Sequence, residues 1–277
     1  MVDARCGLLS LVEPLATTRP LTARSVIAST LLGTYPPRLP GQLLVRWGEL
    51  FGIAEGATRT AMSRMVTAGE LEIDDDAYRL AGPLLARQER QDASRRAERE
   101  DWGGSWEMAV VVGERRSATA RGELRDAMKR LKLAELREGV WLRPDNLPHD
   151  RAPAERSVVH EQCQTLRCAP DEPAIELAAR LWELDGWAKE ARELARGLDG
   201  YLPRVEQGDA SVLRDGFVLA AAVLRHLLAD PLLPAALLPD DWPGDDLRRR
   251  YERYDRAFKQ VLRTWFRTQR IEGSTRT

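Results

Sequence analysis

Four polar residues between positions 59 and 64 have the types and spacing that suit contact with DNA. A helix is predicted over about residues 55–68, and on it Arg59, Thr60, Ser63 and Arg64 share one face, because residues three and four apart are neighbours on a helix surface. Arginine reads guanine or clamps a phosphate, and serine and threonine hydroxyls bond to either. This face is a candidate DNA-binding surface.

The other side of the same helix is apolar. Ala57, Ala61 and Met65 recur at four-residue steps, with Met62 and Val66 beside them, so this side is expected to pack on neighbouring helices. The polar side has a second interpretation, an ordinary solvated face that binds nothing. The helix by itself does not distinguish these two interpretations.

Other kinds of chemistry have little support. His160, Cys163 and Cys168 lie close together, but they lack the paired Cys-x2-Cys spacing and the fourth ligand of a structural zinc site, so no metal is expected. Nucleophile-elbow, phosphate-loop and dinucleotide-binding motifs are absent. The acidic runs at residues 74–76 and 245–246 fall at a turn and a helix start, where carboxylates have a structural use. We therefore expect neither enzyme activity nor a cofactor.

The chain carries almost no net charge. Its 277 residues contain 42 Lys plus Arg and 43 Asp plus Glu, for a net charge of -1. Cations drive phosphate binding, but one locally basic face is enough, so this balance does not exclude a nucleic-acid partner. A hydrophobic content of 43% excludes disorder, and the length allows two or three domains.

The sequence also predicts a cytoplasmic location without a membrane partner. The most apolar stretch, residues 217–229, is broken by Arg225 and His226, which favours a buried helix over a membrane span. The N-terminus lacks the pattern of a secretory signal. The three cysteines form an odd set without a disulfide framework, as is typical of a reducing compartment.

The N-terminal third has the element order of a winged helix-turn-helix domain. Three short helices are predicted at about residues 23–33, 42–51 and 55–68, followed by hairpin strands at 70–73 and 77–80. In such domains the third helix enters the major groove of DNA. The candidate residues lie on that helix, which favours the DNA-binding interpretation.

The rest of the chain predicts a second α+β module and a helical end. Strands at about residues 108–112, 139–143 and 161–167, with a helix after the first and a loop over 144–158, suggest a ferredoxin-like module. Helices are then predicted over 175–198, 212–228 and 247–266. In the last of these, Tyr251, Tyr254, Phe258, Leu262 and Trp265 form a stripe that is expected to be core.

We therefore predict a multi-domain α+β protein. The expected segments are a flexible N-terminal tail (1–22), a winged helix-turn-helix DNA-binding domain (23–81), a solvated linker helix (82–101), a ferredoxin-like central domain (102–172) and a C-terminal helical domain (173–270).

Three groups of motifs resemble one bacterial family. They are Arg24-Ser25, Leu32-Gly33, Leu50-Phe51-Gly52-Ile53, Thr58–Val66 and Gly69-Glu70-Leu71 in the first domain; Trp102-Gly-Gly-Ser-Trp106 and Gly139–Asn146 in the second; and Asp230-Pro-Leu-Leu-Pro234 and Leu237–Gly244 in the third. Together they resemble the phenylacetic-acid-degradation repressor (PaaX-type) family. Because the motifs occur in the family's order from about residue 20 to 268, chance similarity is a poor explanation.

The resemblance implies a homodimeric transcriptional repressor that binds palindromic operator DNA and is released by an acyl-CoA, typically phenylacetyl-CoA. It also implies that the central module shares its fold with the small CRISPR spacer-acquisition nuclease, whose first strand ends in a metal-binding aspartate. Here that strand ends Val111-Val112-Gly113-Glu114, without an aspartate, so nuclease activity is not expected.

One departure from the family concerns the wing. Family members usually carry a basic tip, whereas this chain has Asp74-Asp75-Asp76, which would repel phosphates; we expect Arg38 to compensate. The predicted DNA-binding set is therefore Arg59, Thr60, Ser63, Arg64, Thr58, Arg38 and Ser25. The motifs assign no effector-binding residue. The alternative hypothesis is a small-molecule or acyl-CoA binding protein with weakened or lost operator binding.

Overall fold

A computed structural model describes residues 21–112 and 116–274, which form two compact units. The first unit contains the described residues up to Arg95, then Glu190–Leu228 and the chain from Pro243 onward. The second unit contains Arg96–Lys189 and Ala229–Trp242. The predicted tail lies outside the described residues except for its last two positions, and the end of the central strand at Gly113-Glu114 lies outside them as well.

The elements alternate between helices and short strands. In chain order, the N-terminal part contains α1 (Ala23–Gly33), β1 (Arg38–Pro40), α2 (Gly41–Leu50), α3 (Glu55–Thr67), β2 (Leu71–Asp74), β3 (Ala77–Leu80) and α4 (Gly82–Arg96). The remainder contains β4 (Trp106–Val111), α5 (Ala118–Arg130), β5 (Ala134–Arg137), β6 (Val140–Pro144), α6 (Pro153–Gln162), β7 (Cys163–Cys168), α7 (Ala174–Leu181), α8 (Leu184–Glu206), α9 (Leu213–Ala229) and α10 (Gly244–Ser274).

The N-terminal elements form a winged helix-turn-helix arrangement, as the sequence predicts. The three strands make an antiparallel sheet in the order β1-β3-β2. The hairpin turns at Asp75, which adopts the left-handed conformation that aspartate tolerates better than most residues. Strand β1 was not predicted from the sequence, because Pro36, Pro37 and Pro40 read as a turn.

Helix α3 packs on its neighbours through Thr58, Met62 and Met65, each about 1% exposed. The predicted inward residue Ala57 is instead exposed. The prediction was right for Met62 and Met65, and it was wrong for Ala57 because it took all the apolar residues as the buried set. Gly48 on α2 leaves space that the Thr58 side chain occupies. Thr58, and not Ala57, therefore lies on the inner face of α3.

The C-terminal helices α9 and α10 belong to the same unit as the winged domain. Trp47 on α2 lies with its ring centroid 5.3–5.9 Å from those of Phe51, Phe217, Trp265 and Phe266. The pairs with Phe51, Phe217 and Trp265 are edge-to-face, and such contacts add to the free energy gained by burying the rings. The predicted aromatic stripe of α10 is therefore core, with Tyr251, Tyr254 and Phe258 all buried.

Helix α4 is not the solvated linker that its mixed charges suggest. Its residues Leu84, Gln88, Gln91 and Ser94 are buried. The Gln88 amide donates a hydrogen bond of 3.1 Å to the Leu32 carbonyl at the end of α1. The helix therefore packs against the winged domain along one side, and the long polar side chain of Gln88 is accommodated there because it has a backbone partner.

The central module has the ferredoxin-like strand order β5-β6-β4-β7, with every neighbouring pair antiparallel. Two elements differ from the prediction. Strand β5 pairs with β6 across a short hairpin, and helix α6 occupies much of the predicted loop and the start of the predicted third strand, which begins only at Cys163. Likewise, the helix predicted over residues 175–198 is interrupted at Trp182, which is extended.

Two of the sequence motifs meet in the second unit through a buried arginine. Arg143 is 0% exposed and donates hydrogen bonds to the carbonyls of Leu131 (3.0 Å) and Pro144 (2.9 Å) and to the side chain of Asn146 (2.6 Å). The Asn146 amide in turn donates to the Leu232 carbonyl at 3.1 Å. Burial lowers the pKa of Arg143 to about 9, so the side chain is still a cation at neutral pH. These motifs therefore fix the position of the 230–234 segment.

Candidate nucleic-acid interface

The polar face of α3 is exposed as predicted. Arg59, Thr60, Ser63 and Arg64 all lie on the side of the helix opposite Met62 and Met65. The buried side is anchored on α1 and α2, so the four polar residues are held on a rigid element rather than on a loop. Side chains presented in this way can contact base edges or phosphates without a large ordering cost.

The four residues differ in the ion pairs and hydrogen bonds that they form within the protein. Arg59 forms an ion pair with Glu55, with 2.7 Å between Nε and Oε1, and the Thr60 hydroxyl donates to the Gly56 carbonyl at 2.8 Å. Arg64 forms no ion pair with any of the described residues. An exposed pair at this spacing is worth only about 0.3–0.5 kcal/mol, so Arg59 can be released at small cost. Arg64 needs no release at all.

Two residues of the predicted set make contacts within the protein. Thr58 is buried against Gly48, so it cannot reach DNA while α3 keeps its packing. Ser25 completes a capping box with Thr22: its backbone N–H donates to the Thr22 hydroxyl at 3.2 Å and its own hydroxyl accepts from the Thr22 N–H at 2.9 Å. This arrangement supports the start of α1 and occupies the Ser25 hydroxyl.

The wing does not gain a free cation from Arg38. Its guanidinium lies 3.0 Å from the Asp74 carboxylate and 3.6 Å from that of Asp75, and it also donates to the Asp74 carbonyl. On the adjacent strand Arg79 pairs with Glu72. The expected compensation by Arg38 is therefore internal: the arginine offsets the aspartates of the wing rather than adding positive charge to it.

Arg24 connects α1 to the segment that follows α3. Its guanidinium forms a bidentate pair with the Glu70 carboxylate, and this hydrogen bonding raises the pKa of Arg24. Arg24, Thr60 and Arg64 line one groove along the surface of α3. The bidentate pair therefore holds the wing base and the first helix together at the edge of the candidate interface.

The part of the chain that the structure describes contains neither a metal-binding cluster nor a membrane-spanning helix. No group of three or more His, Cys, Asp or Glu side chains there could hold a metal ion, and Cys163 and Cys168 are free thiols. Burial raises the pKa of both thiols. No helix within residues 21–112 and 116–274 is long and apolar enough to cross a membrane.

Comparisons with known proteins place all three domains in one group. A family model described as PaaX-like protein matches residues 22–84, one described as PaaX protein central Cas2-like domain matches residues 99–176, and one described as PaaX-like protein C-terminal domain matches residues 182–268. The chain is also similar to a solved structure, Uncharacterized protein Rv0674 from Mycobacterium tuberculosis, with 39% identity and a TM-score of 0.67. That comparison covers 90% of this chain and 99% of the other. No curated protein matches.

Proposed function

Because the chain belongs to the PaaX-like protein family, whose members are typically transcriptional regulators and not enzymes, we propose that it is a DNA-binding repressor. In this proposal the protein binds palindromic operator DNA as a homodimer, with α3 of each copy in a major groove, and an acyl-CoA such as phenylacetyl-CoA releases it. The family implies DNA binding; the repression, the dimer and the effector are the proposed part.

The exposed polar face of α3 is the observation that carries the proposal. Arg64 and Arg59 supply two guanidinium forks, and Ser63 and Thr60 supply hydroxyls beside them. Guanidinium forks match the two acceptors of guanine, which makes arginine the most common reader of that base. We therefore assign base contacts to the two arginines and contacts to either a base or a phosphate to the hydroxyls.

The acidic wing determines what kind of binding to expect. With Arg38 paired to Asp74 and Asp75, the wing offers phosphates little attraction. Sequence-independent affinity depends on the number of phosphates that cations neutralise, so non-specific binding should be weak. Specificity then rests on the base contacts of α3 and on the spacing between the two half-sites of a dimer.

The test measures equilibrium binding to a duplex enriched by the protein from a random DNA pool. Arg59→Ala and Arg64→Ala should each weaken binding by about 1–3 kcal/mol where the arginine contacts a base. Arg125→Ala is the matched control, because Arg125 is exposed on α5 and should leave affinity unchanged. If neither Arg59→Ala nor Arg64→Ala changes affinity, the assignment of the recognition face is wrong.

The acidic wing also favours a second candidate, a ligand-binding protein that has lost operator binding. The two candidates differ in salt dependence. A specific DNA binder loses affinity steeply as salt rises but keeps a sequence preference, whereas the second candidate shows no preference at any salt concentration. Measuring binding to the enriched and to a scrambled duplex at two salt concentrations separates them.

A further inference from the structure

A cavity of about 440 Å³ lies inside the first unit, away from the exposed face of α3. Four helices line it: α1, α4, α9 and α10. Its volume is within the range of about 300–1,000 Å³ that is typical of small-molecule sites. Helix α1 belongs to the winged domain and α4 follows it, whereas α9 and α10 come from the C-terminal part. A ligand in this cavity would therefore contact both parts of the unit.

The cavity wall is apolar over a large part of its surface. Phe217, Leu224 and Leu228 of α9 and Phe258 and Leu262 of α10 contribute to it. Aromatic and branched side chains around a concave surface favour a ligand with an apolar body, because burying that body removes its surface from water.

The charged residues around the cavity are mostly cations. Arg87, Arg95, Arg225 and Lys259 line it, against the single carboxylate of Asp255 among the lining residues. That carboxylate is already used, since it lies 2.7 Å from the Lys259 ammonium and 3.2 Å from the Arg95 guanidinium. The other two cations, Arg87 and Arg225, therefore have no carboxylate partner among the residues that line the cavity.

Arg87 and Arg225 are the two uncompensated cations. Neither forms an ion pair with a described residue, and both are exposed enough to meet a ligand. Desolvation, together with the positive charges of Arg24, Arg90 and Arg225, lowers the pKa of Arg87. Like charges held together on different helices repel each other, and an anion between them would relieve that repulsion.

Gln91 presents a further polar group to the cavity. Its side chain is 7% exposed and lines the cavity, one turn from Arg87 on α4. Its amide makes no hydrogen bond to any described residue, in contrast to the neighbouring buried Gln88, whose amide donates to the Leu32 carbonyl. The amide atoms are not fully enclosed by the protein, so a molecule in the cavity can hydrogen-bond to them.

We propose that this cavity binds a small organic carboxylate, with its negative charge facing Arg87 and Arg225. The Gln91 amide bonds to polar atoms of the ligand, and its apolar body lies on the wall formed by Phe217, Leu224 and Leu262. Because the ligand contacts α4 and α9 together, its binding favours one relative position of these helices. Only this regulatory consequence rests on the proposed DNA-binding function.

The first test uses 8-anilinonaphthalene-1-sulfonate, a fluorescent anion with an aromatic body, and N-phenyl-1-naphthylamine, which has the same body without the charge. The anion should bind the full chain at one site, and Arg225→Ala and Arg87→Ala should each weaken it about tenfold while changing the neutral probe less than twofold. Gln91→Leu, of similar volume, should weaken the anion several-fold. Arg214→Ala, an exposed unpaired arginine on α9, is the matched control.

The outcomes are distinguishable. Failure of the anion to bind, or equal affinities in the wild type and both arginine variants, overturns the proposal. Aryl and alkyl carboxylates should then displace the bound anion in competition experiments, and displacement by neither series overturns the proposal too. None of these measurements contains DNA, so a failed operator experiment would count against the proposed function and leave the cavity assignment standing.

Discussion

The contact between Thr58 and Gly48 sets the position of the recognition helix, and a double-mutant cycle tests it. A Cβ atom added at Gly48 would lie 2.7 Å from the Thr58 hydroxyl and 3.6 Å from its methyl group. The hydroxyl contact is much shorter than a normal carbon–oxygen separation, so in Gly48→Ala either α2 or α3 has to move. Gly48 lies within α2 and has an ordinary helical backbone, so nothing else opposes the alanine there.

The expected magnitude has two opposing contributions. Overpacking a core contact costs about 1–3 kcal/mol, whereas replacing glycine by alanine within a helix gains about 1 kcal/mol. Gly48→Ala should therefore destabilise the wild type by about 1 kcal/mol. In a Thr58→Ala background the nearest remaining atom is the Cβ at position 58, 3.7 Å away, which is an ordinary contact. There the same substitution should stabilise the protein by about 1 kcal/mol.

Urea unfolding of the four proteins, followed by fluorescence, measures both effects. The sign of the Gly48→Ala effect should reverse between the two backgrounds, with a coupling free energy of about 2 kcal/mol. Operator affinity of folded Thr58→Ala should match that of the wild type, since the residue is buried. An effect of Gly48→Ala that is the same in both backgrounds would refute the packing argument, and a loss of affinity in stable Thr58→Ala would return Thr58 to the DNA-contacting set.

Three other predictions concern stability. Arg143→Met keeps most of the volume but leaves buried carbonyls without donors, so unfolding should become easier by about 3 kcal/mol in urea titrations, against no change for Arg125→Ala. Gly82→Ala places a Cβ 2.6 Å from the Gly69 carbonyl at a positive φ and should lower the melting temperature by several degrees. Hydrogen bonds from Ser211 lower the pKa of Asp209 to about 2. The stabilisation that the ionised Asp209 carboxylate gives the folded protein is complete above about pH 4 and is lost as the pH falls through about 2. The free energies of unfolding of the wild type and Asp209→Asn should therefore differ at pH 6 and converge at low pH.

The element order could be predicted from the sequence because local signals are strong in this chain. Apolar spacing at three and four residues located most of the helices, and three aspartates between two short strands located the wing hairpin. The exposed face of α3 follows from the same spacing. Strand β5 and helix α6 were missed because each is short and mostly exposed, which leaves little apolar periodicity to detect.

The inner face of α3 and the cavity depend on contacts between segments far apart in the chain. Whether Thr58 or Ala57 is buried is decided by the missing side chain at Gly48, which no periodicity within α3 records. Arg87 and Arg225 are separated by more than a hundred residues and share a cavity only after four helices have packed. The sequence around Arg87 shows alternating charges, which are more typical of a solvated helix.

In the proposed function, helix α3 reads bases through Arg64 and Arg59. The most direct measurement is selection of binding sites from a random duplex pool by the wild type and by Arg64→Ala, analysed by sequencing. The wild type should enrich an inverted repeat with a half-site spacing of about one helical turn or a multiple of it, and Arg64→Ala should lose the preference at one base pair in each half-site. Enrichment of no sequence by the wild type, or of identical sequences by both proteins, would contradict the account.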